Sequence, residues 1–403
     1  MKLLKEVLKE ITPKKGELKK EVDDMLSKIN KSLKKLKAKA IVGGSFAKNT
    51  FLKGDHDCDI FVKFNYSLKG KDISKLLGNA LKKFKAVRIP GSRNYYQIKN
   101  KINYEIVPVL SIKDPKKAVN VTDASPLHAA WVKKSKLSDE IRLSKAFCKA
   151  AGVYGAESYI KGFSGHVLDI LTIYYGSFLK LLRAASKWKQ KTVIDIMKYH
   201  KNVFMDVNKS KLLSPLIVID PIQKERNAAA ALNLQKYEKF RKAAKDFLKN
   251  PSKQFFIKHE LTIDEIKEKG KGNKLILLDV KPLRGKQDIV GAKLLKTFEY
   301  LKKSLIKNEF KILESGWTWD KKTKASIWFV LDKKILTETM TRNGPPLSNK
   351  PHVSKFKKKH KKTFTKGKKL YSKVKRNHRK PESLIKELIK SSYVKERVKN
   401  VSS

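Results

Sequence analysis

Apolar residues at helical spacing open the chain. Leu3, Leu4, Val7, Leu8 and Ile11 share one face, Pro13 and Gly16 interrupt, and Val22, Leu26, Ile29, Leu33 and Leu36 resume the period. The pattern predicts two amphipathic helices leading into the short apolar run "AKAIVGG". The stretches "DIFVKF" and "INYEIVPVLSI" are β-branched and read as strands, and "KDPKKAVNVTDASP" reads as a loop. A first α/β domain is therefore expected over residues 1–120. Helical character returns at Ser138, an expected N-cap, with Asp139 and Glu140 at the positive end of the dipole and Gly152 as the stop. It continues through "HVLDILTIYYGSFLKLL" and "NAAAALNLQKYEKFRKAAKDFL", giving a mostly helical domain over 121–270. Beyond Gly270 the order becomes strand ("KLILLDV"), helix (Leu294, Phe298, Leu301, Leu305), strand ("FKILES") and strand ("ASIWFVL"), a small α+β domain over 271–345. The reading is of a multidomain α/β and α+β protein, with a basic segment over 346–403.

Charge narrows the partners. The 403 residues are 40% hydrophobic, enough for substantial cores, yet the net charge is +56. A surface so cationic attracts a polyanion, and nucleic acid fits best. No apolar run approaches the roughly 18 residues of a membrane span, and "MKLLKEVLKEI" mixes charge with Leu and Val, unlike a signal core. A cytoplasmic protein with no membrane partner is expected. Cys58 and Cys148 lack CxxC spacing and suggest neither a disulfide framework nor a zinc site. Residues 350–380 carry fifteen Lys or Arg and no Asp or Glu, with Phe356, Phe364 and Tyr371 interspersed. Aromatics among cations suit RNA, through stacking and phosphate pairing.

Against this basic background, "GGSFAKNTFLKGDHDCDIF" concentrates acids. Gly43, Gly44 and Ser45 follow a strand, so the turn's free N–H groups can hold a triphosphate, with Lys48 one turn on adding a cation. Asp57 and Asp59 lie two apart in a strand, which puts both carboxylates on one face and Cys58 on the other. Two such carboxylates beside a phosphate cradle can share Mg²⁺ with a nucleotide. Glu105, in the apolar "NYEIVPV", supplies a third acid able to orient or deprotonate an attacking hydroxyl. Asp55 is either a further participant or a turn residue after Gly54.

The "GGSFAKNT…DHDCDIF" stretch resembles the GS…(D/E)xD signature of the polymerase-β nucleotidyltransferase superfamily. With "SPLHAAW", "RLSKAFCKAAGVYGAESYIKGFSGHVLDILTIYYGSF" and "IDPIQKERNAAAAL", the chain resembles the archaeal, class I CCA-adding tRNA nucleotidyltransferases from about Gly43 to Leu232, and more weakly to about residue 345. The resemblance implies a polymerase-β-like head followed by a helical neck and body. It implies Asp57, Asp59 and Glu105 as metal-binding carboxylates for a two-metal Mg²⁺ site, and Gly44, Ser45 and Lys48 as triphosphate contacts. Ser125, His128, Lys145 and Tyr154 are implied around the incoming nucleotide, and Arg226 beside its base. The family commonly has Asp at the position of Glu105, Arg at that of Lys48 and Thr at that of Ser125. Without the resemblance, His128 reads as a capping histidine, Lys145 as a solvated helix residue, Tyr154 as an anchoring aromatic and Arg226 as a surface charge.

The implied activity is addition of C, C and A to the tRNA 3′ end from CTP and ATP, without a nucleic-acid template. The acceptor arm and elbow of tRNA would be held through phosphates, and homodimerisation is left open. A poly(A) polymerase, an oligoadenylate synthetase or a non-catalytic RNA-binding protein on the same scaffold are the alternatives.

Overall fold

Of the two N-terminal amphipathic helices, one covers the sheet that follows and the other does not. The structure, a computed structural model, describes residues 2–402 except 15, 17 and 260. In the unit formed by residues 1–259, α1 (Lys2–Ile11) inserts Val7 into the core of the helical region, with Leu3, Leu4, Leu8 and Ile11 packed around it. Lys253 Nζ, 3.0 Å from carboxylates of both Glu6 and Glu10, fastens it there. α2 (Lys19–Ser32) instead buries Val22 and Ile29 against the head sheet. The break at Pro13 and Gly16 thus separates helices with different partners.

The head sheet contains β1 (Ala38–Val42), β2 (Asp57–Phe64), β3 (Val87–Ile89), β4 (Tyr95–Lys99) and β5 (Asn103–Leu110), in the order β1-β2-β5-β4-β3. The short α3 (Gly44–Ala47) fills the turn after β1, and α4 (Ile73–Ala80) joins α2 in covering the sheet. β2 runs antiparallel to β1 and parallel to β5. Cys58, Ile60, Val62 and Phe64 point into the core with Ile106 and Leu110, which leaves Asp57 and Asp59 on the opposite face.

The helical region contains α5 (Ser125–Lys134), α6 (Ser138–Ala150), α7 (Gly165–Tyr175), α8 (Phe178–Ala185), the short α9 (Val203–Asp206) and α10 (Leu234–Lys249). A parallel pair, β6 (Thr192–Ile194) and β7 (Leu216–Val218), lies between α8 and α10 in sequence. Ser138 is the first residue of α6 and not its cap; Leu137 takes that position without a side-chain bond. The alanine-rich run after Arg226 is a turn, because Asn227 Oδ1 accepts from the N–H groups of Val218 and Ala229 and ties the chain back to β7. α10 begins only after its cap, Asn233. Fully buried Phe147 meets Phe178, Phe247 and Phe240 edge-on, at ring separations of 5.6, 5.8 and 6.0 Å. Phe147→Ala is expected to cost about 3–5 kcal/mol, read as a shifted midpoint in urea unfolding; a loss below 1 kcal/mol would show that the cluster repacks freely.

The unit formed by residues 260–403 begins with α11 (Ile263–Lys269), then β8 (Lys274–Pro282), α12 (Gln287–Lys307), β9 (Ile312–Trp319) and β10 (Ala325–Leu331). β11 (Thr339–Pro346), α13 (Lys350–Lys359), β12 (Thr363–Lys366), β13 (Lys369–Lys375), α14 (Pro381–Leu388), α15 (Ser392–Lys395) and β14 (Val398–Ser402) complete it. Two sheets form, β14-β8-β10-β9 and β11-β13-β12. Leu294, Leu301 and Leu305 of α12 and Leu384, Ile385 and Leu388 of α14 pack on the first sheet. The basic stretch over 346–403 is folded: β13 pairs with β11, and β14 is a strand of the sheet begun by β8. Leu370 and Ser372 are buried while Lys369, Lys373 and Lys375 of the same strand face outward, so a high cation count hides a strand period.

Candidate active site

The turn after β1 is built around glycine. Gly44 has a φ of +52°, and a Cβ added to it would lie 1.7 Å from Asp59 Oδ2, so a side chain is excluded by conformation and by space. Gly43 N donates to the Asp59 carbonyl at 2.8 Å, extending the β1–β2 pairing by one bond. The Gly-Ser turn is thereby held directly against the Asp59 carboxylate. Ser45 and Lys48 follow in α3 and at its C-cap.

The parallel register places Asp59 opposite Glu105 and Asp57 opposite Asn103. Glu105 Oε1 accepts from Gln97 Nε2 at 2.8 Å, and Asp57 Oδ1 accepts from Asn103 Nδ2 at 3.1 Å. Burial pushes the Asp59 carboxyl up to about 6, Glu105 and Asp57 push the same way, and Lys48 and Lys145 oppose them. Three acids crowded so that one resists ionisation form an all-oxygen donor set that a hard divalent cation would relieve. Asp55 is a turn residue with an ion pair: its Oδ2 accepts from Leu52 N, and its Oδ1 lies 2.6 Å from Lys149 Nζ.

Lys145 is no solvated lysine. It is 4% exposed, donates to Thr50 Oγ1 at 2.8 Å and lies 3.7 Å from Asp169 Oδ1. Asp169, wholly buried on α7, also binds Lys48 Nζ at 2.6 Å through Oδ2. Burial pushes Lys145 down to about 8, with Asp169 resisting; burial of Asp169 would raise it, but Lys145 and Lys48 hold it below the usual carboxylate range. Tyr154 borders the same pair: a Cβ on Gly165 would lie 3.0 Å from its hydroxyl and 3.7 Å from Lys145 Cε. Burial raises the Tyr154 phenol, so it stays a hydrogen-bond donor.

A second cluster gathers around buried Asp220, just past β7. His128 Nε2 and His166 Nε2 contact its two oxygens at 2.8 and 3.2 Å, and Arg226 Nη1 donates to Oδ2 at 3.0 Å. Half-buried Ser125 opens α5, one turn before His128. His166 and Asp169 lie one turn apart on α7, so that helix serves both clusters. Among the described residues, His128, His166 and Asp220 are the group whose ligand atoms all lie within 4.8 Å of one another; in the head, Glu105 and Asp57 are bonded to the amides of Gln97 and Asn103. Sequence reasoning brought forward neither Asp169, Asp220, His166 nor Thr50.

Three family descriptions match successive parts of the chain: "Nucleotidyltransferase domain" over residues 24–128, "tRNA nucleotidyltransferase, second domain" over 139–257 and "CCA-adding enzyme, C-terminal domain" over 272–401. The CCA-adding enzyme of Methanocaldococcus jannaschii is 32% identical over 96% of this chain and 90% of its own. The chain belongs to the CCA-adding enzyme family. The CCA-adding enzyme of Nanoarchaeum equitans is 34% identical over 80% of each chain, and that of Saccharolobus shibatae 33% identical over 84% of this chain and 80% of its own. In fold, the chain resembles the Cid1 poly(U) polymerase, with a TM-score of 0.52 at 14% identity over 64% of this chain and 98% of that one. This family is one of nucleotidyltransferases, for which nucleotide substrates and a divalent metal are the rule.

Proposed function

We infer that this protein adds C, C and A to the 3′ end of tRNA from CTP and ATP, without a nucleic-acid template. The observation that carries the reading is the Asp59–Glu105 register against the Gly44 turn, with two lysines on one buried carboxylate beside it. Asp57, Asp59 and Glu105 would hold Mg²⁺, which when bound neutralises charge on the reacting phosphate and lowers the pKa of the attacking hydroxyl. The backbone of the Gly44 turn, Ser45, Lys48 and Lys145 bind the triphosphate, and Tyr154 donates to it. Glu105, with Oε1 occupied by Gln97, offers its other oxygen to the proton of the tRNA 3′ hydroxyl. That hydroxyl attacks the α-phosphorus, the bond to the bridging oxygen breaks, and pyrophosphate leaves along Ser45 and Lys48.

Ser125 and His128 border the nucleoside, and Arg226 meets the base. Cytosine and adenine each present an unprotonated ring nitrogen beside an exocyclic amino group, whereas uracil and guanine carry N–H at that place. A guanidinium, which only donates, can donate to the unprotonated nitrogen of cytosine or adenine and opposes the N–H of uracil or guanine, while the tRNA backbone would accept from the amino group. The decisive assay is magnesium-dependent labelling of a tRNA transcript lacking its 3′ end. Incorporation of two C and one A, then a stop, supports the reading, and continued A addition would make the enzyme a poly(A) polymerase.

The tRNA acceptor arm and elbow are held by the basic surface. α13 buries none of its residues and exposes Lys355, Lys357, Lys358 and Lys359. Deleting residues 350–380 would remove β13, the central strand of its sheet, so neutralising these four lysines to Gln is the cleaner test. Each lost phosphate contact removes about 0.7–0.9 from the slope of log affinity against log salt. A reduction of about 3 in filter-binding titrations, with the rate at saturating tRNA unchanged, is expected; an unchanged slope would make α13 a solvated appendage.

A further inference from the structure

Asp220 takes three side chains and two backbone N–H groups on its two oxygens, and nothing so far assigns it a role. It is fully buried. Oδ1 accepts from the N–H groups of Ile222 and Gln223 at 2.9 and 3.1 Å and meets His128 Nε2, while Oδ2 takes His166 Nε2 and Arg226 Nη1. Burial would raise its carboxyl, but hydrogen bonds from His128 and His166 hold it far below the usual range, so it is an anion throughout neutral pH. The two histidines and the acid have the spacing of a metal triad. The guanidinium on Oδ2 and the two N–H donors on Oδ1 argue against that use, because they already satisfy both oxygens and place a positive charge at the site.

The partner with freedom to act is Arg226, whose side chain is 43% exposed beyond its contact with Asp220. One terminal nitrogen of a planar guanidinium, pinned to a buried carboxylate, fixes the plane of the whole fork and the direction of its remaining N–H groups. We propose that Asp220 aims Arg226 at the ring nitrogen of the incoming base, so that acceptance of C and A over U and G depends on a carboxylate that does not touch the nucleotide. Asp220 is on this reading a positioning residue. The inference rests on the base-facing role given to Arg226 above.

Asp220→Asn tests it with little change of shape. The amide oxygen can keep the Ile222, Gln223 and His128 donors, which turns the amide nitrogen toward Arg226 and His166, a donor against donors, and frees the guanidinium. The ratio of kcat/KM for CTP to that for UTP is expected to fall on the order of tenfold to a hundredfold, as for loss of one well-aligned base contact. Asp220→Glu, which keeps the charge and displaces it by one methylene, should fall in the same direction. In a double-mutant cycle, Asp220→Asn combined with Arg226→Ala should discriminate no worse than Arg226→Ala alone, because both remove the same aimed group. A merely structural role would lower both nucleotides together and leave the ratio in place; that result, additive losses in the cycle, or failure of both Asp220 variants to fold would overturn the proposal. If the unmodified protein shows no C or A addition, the functional reading fails first, and the ratio cannot be formed.

Discussion

Asp59→Asn is expected to abolish nucleotide addition and at the same time to make the protein more stable at pH 7.5. Asp59 titrates at about 6 in the folded chain against 3.8 for the ordinary side chain, through burial and through Glu105. Between those values the unfolded chain releases its proton first, so stability falls as pH rises through the window and stays lower above it. Asparagine does not titrate and escapes that loss. The gain is about 1–3 kcal/mol, a few degrees in melting temperature, and it should shrink toward pH 4. Magnesium should stabilise the wild type and leave the variant unmoved, since the ion binds the folded carboxylates only. Asp57→Asn, at an exposed carboxylate already bonded to Asn103, should lose activity without the gain. A melting temperature for Asp59→Asn at or below that of wild type at pH 7.5, or transfer retained in magnesium, would remove Asp59 from the centre of the site.

An acid inside an apolar run marks Asp59 and Glu105 in the sequence, and it marks Asp169 and Asp220 no less. Asp59 in "DIFVKF" stands out because a second acid lies two residues away, and strand alternation alone puts such a pair on one face. Asp169 in "HVLDILT" and Asp220 in "LIVID" are equally out of keeping with their surroundings. Their partners, however, come from distant elements: Lys48 is 121 residues from Asp169, and His128 is 92 from Asp220. Local period cannot supply such pairings. Composition also hides them, since a buried Lys145 and an exposed lysine look alike in a chain with 94 Lys and Arg. Helix propensity erred after Arg226 for a related reason, the alanine run being overruled by the Asn227 side chain bonding to β7. The two N-terminal helices show the converse. Both were visible from their apolar faces, but a face does not name the core it enters.

Asp169→Asn should be costly to the empty protein and much less so once nucleotide is bound. The carboxylate is fully buried and faces two cations, Lys48 at 2.6 Å and Lys145 at 3.7 Å. Removing one member of a buried ionic cluster leaves the others uncompensated, a loss of about 3–5 kcal/mol. Lys145, already lowered to about 8 by burial, would shed its proton more readily without Asp169, and neutral Lys145 offers a triphosphate no charge. Yet a triphosphate brings negative charge to the same two ammonium groups and can stand in for the missing carboxylate. CTP should therefore raise the melting temperature of Asp169→Asn by several degrees more than it raises that of wild type, while KM for CTP rises and falls back toward the wild-type value at lower pH, where Lys145 regains its proton. Adding Lys145→Gln should reduce that extra shift, because only one of the two cations, Lys48, is then left uncompensated. Equal nucleotide-induced shifts in wild type and Asp169→Asn would mean that Asp169 braces α7 against the head and that the lysines reach the triphosphate without its help.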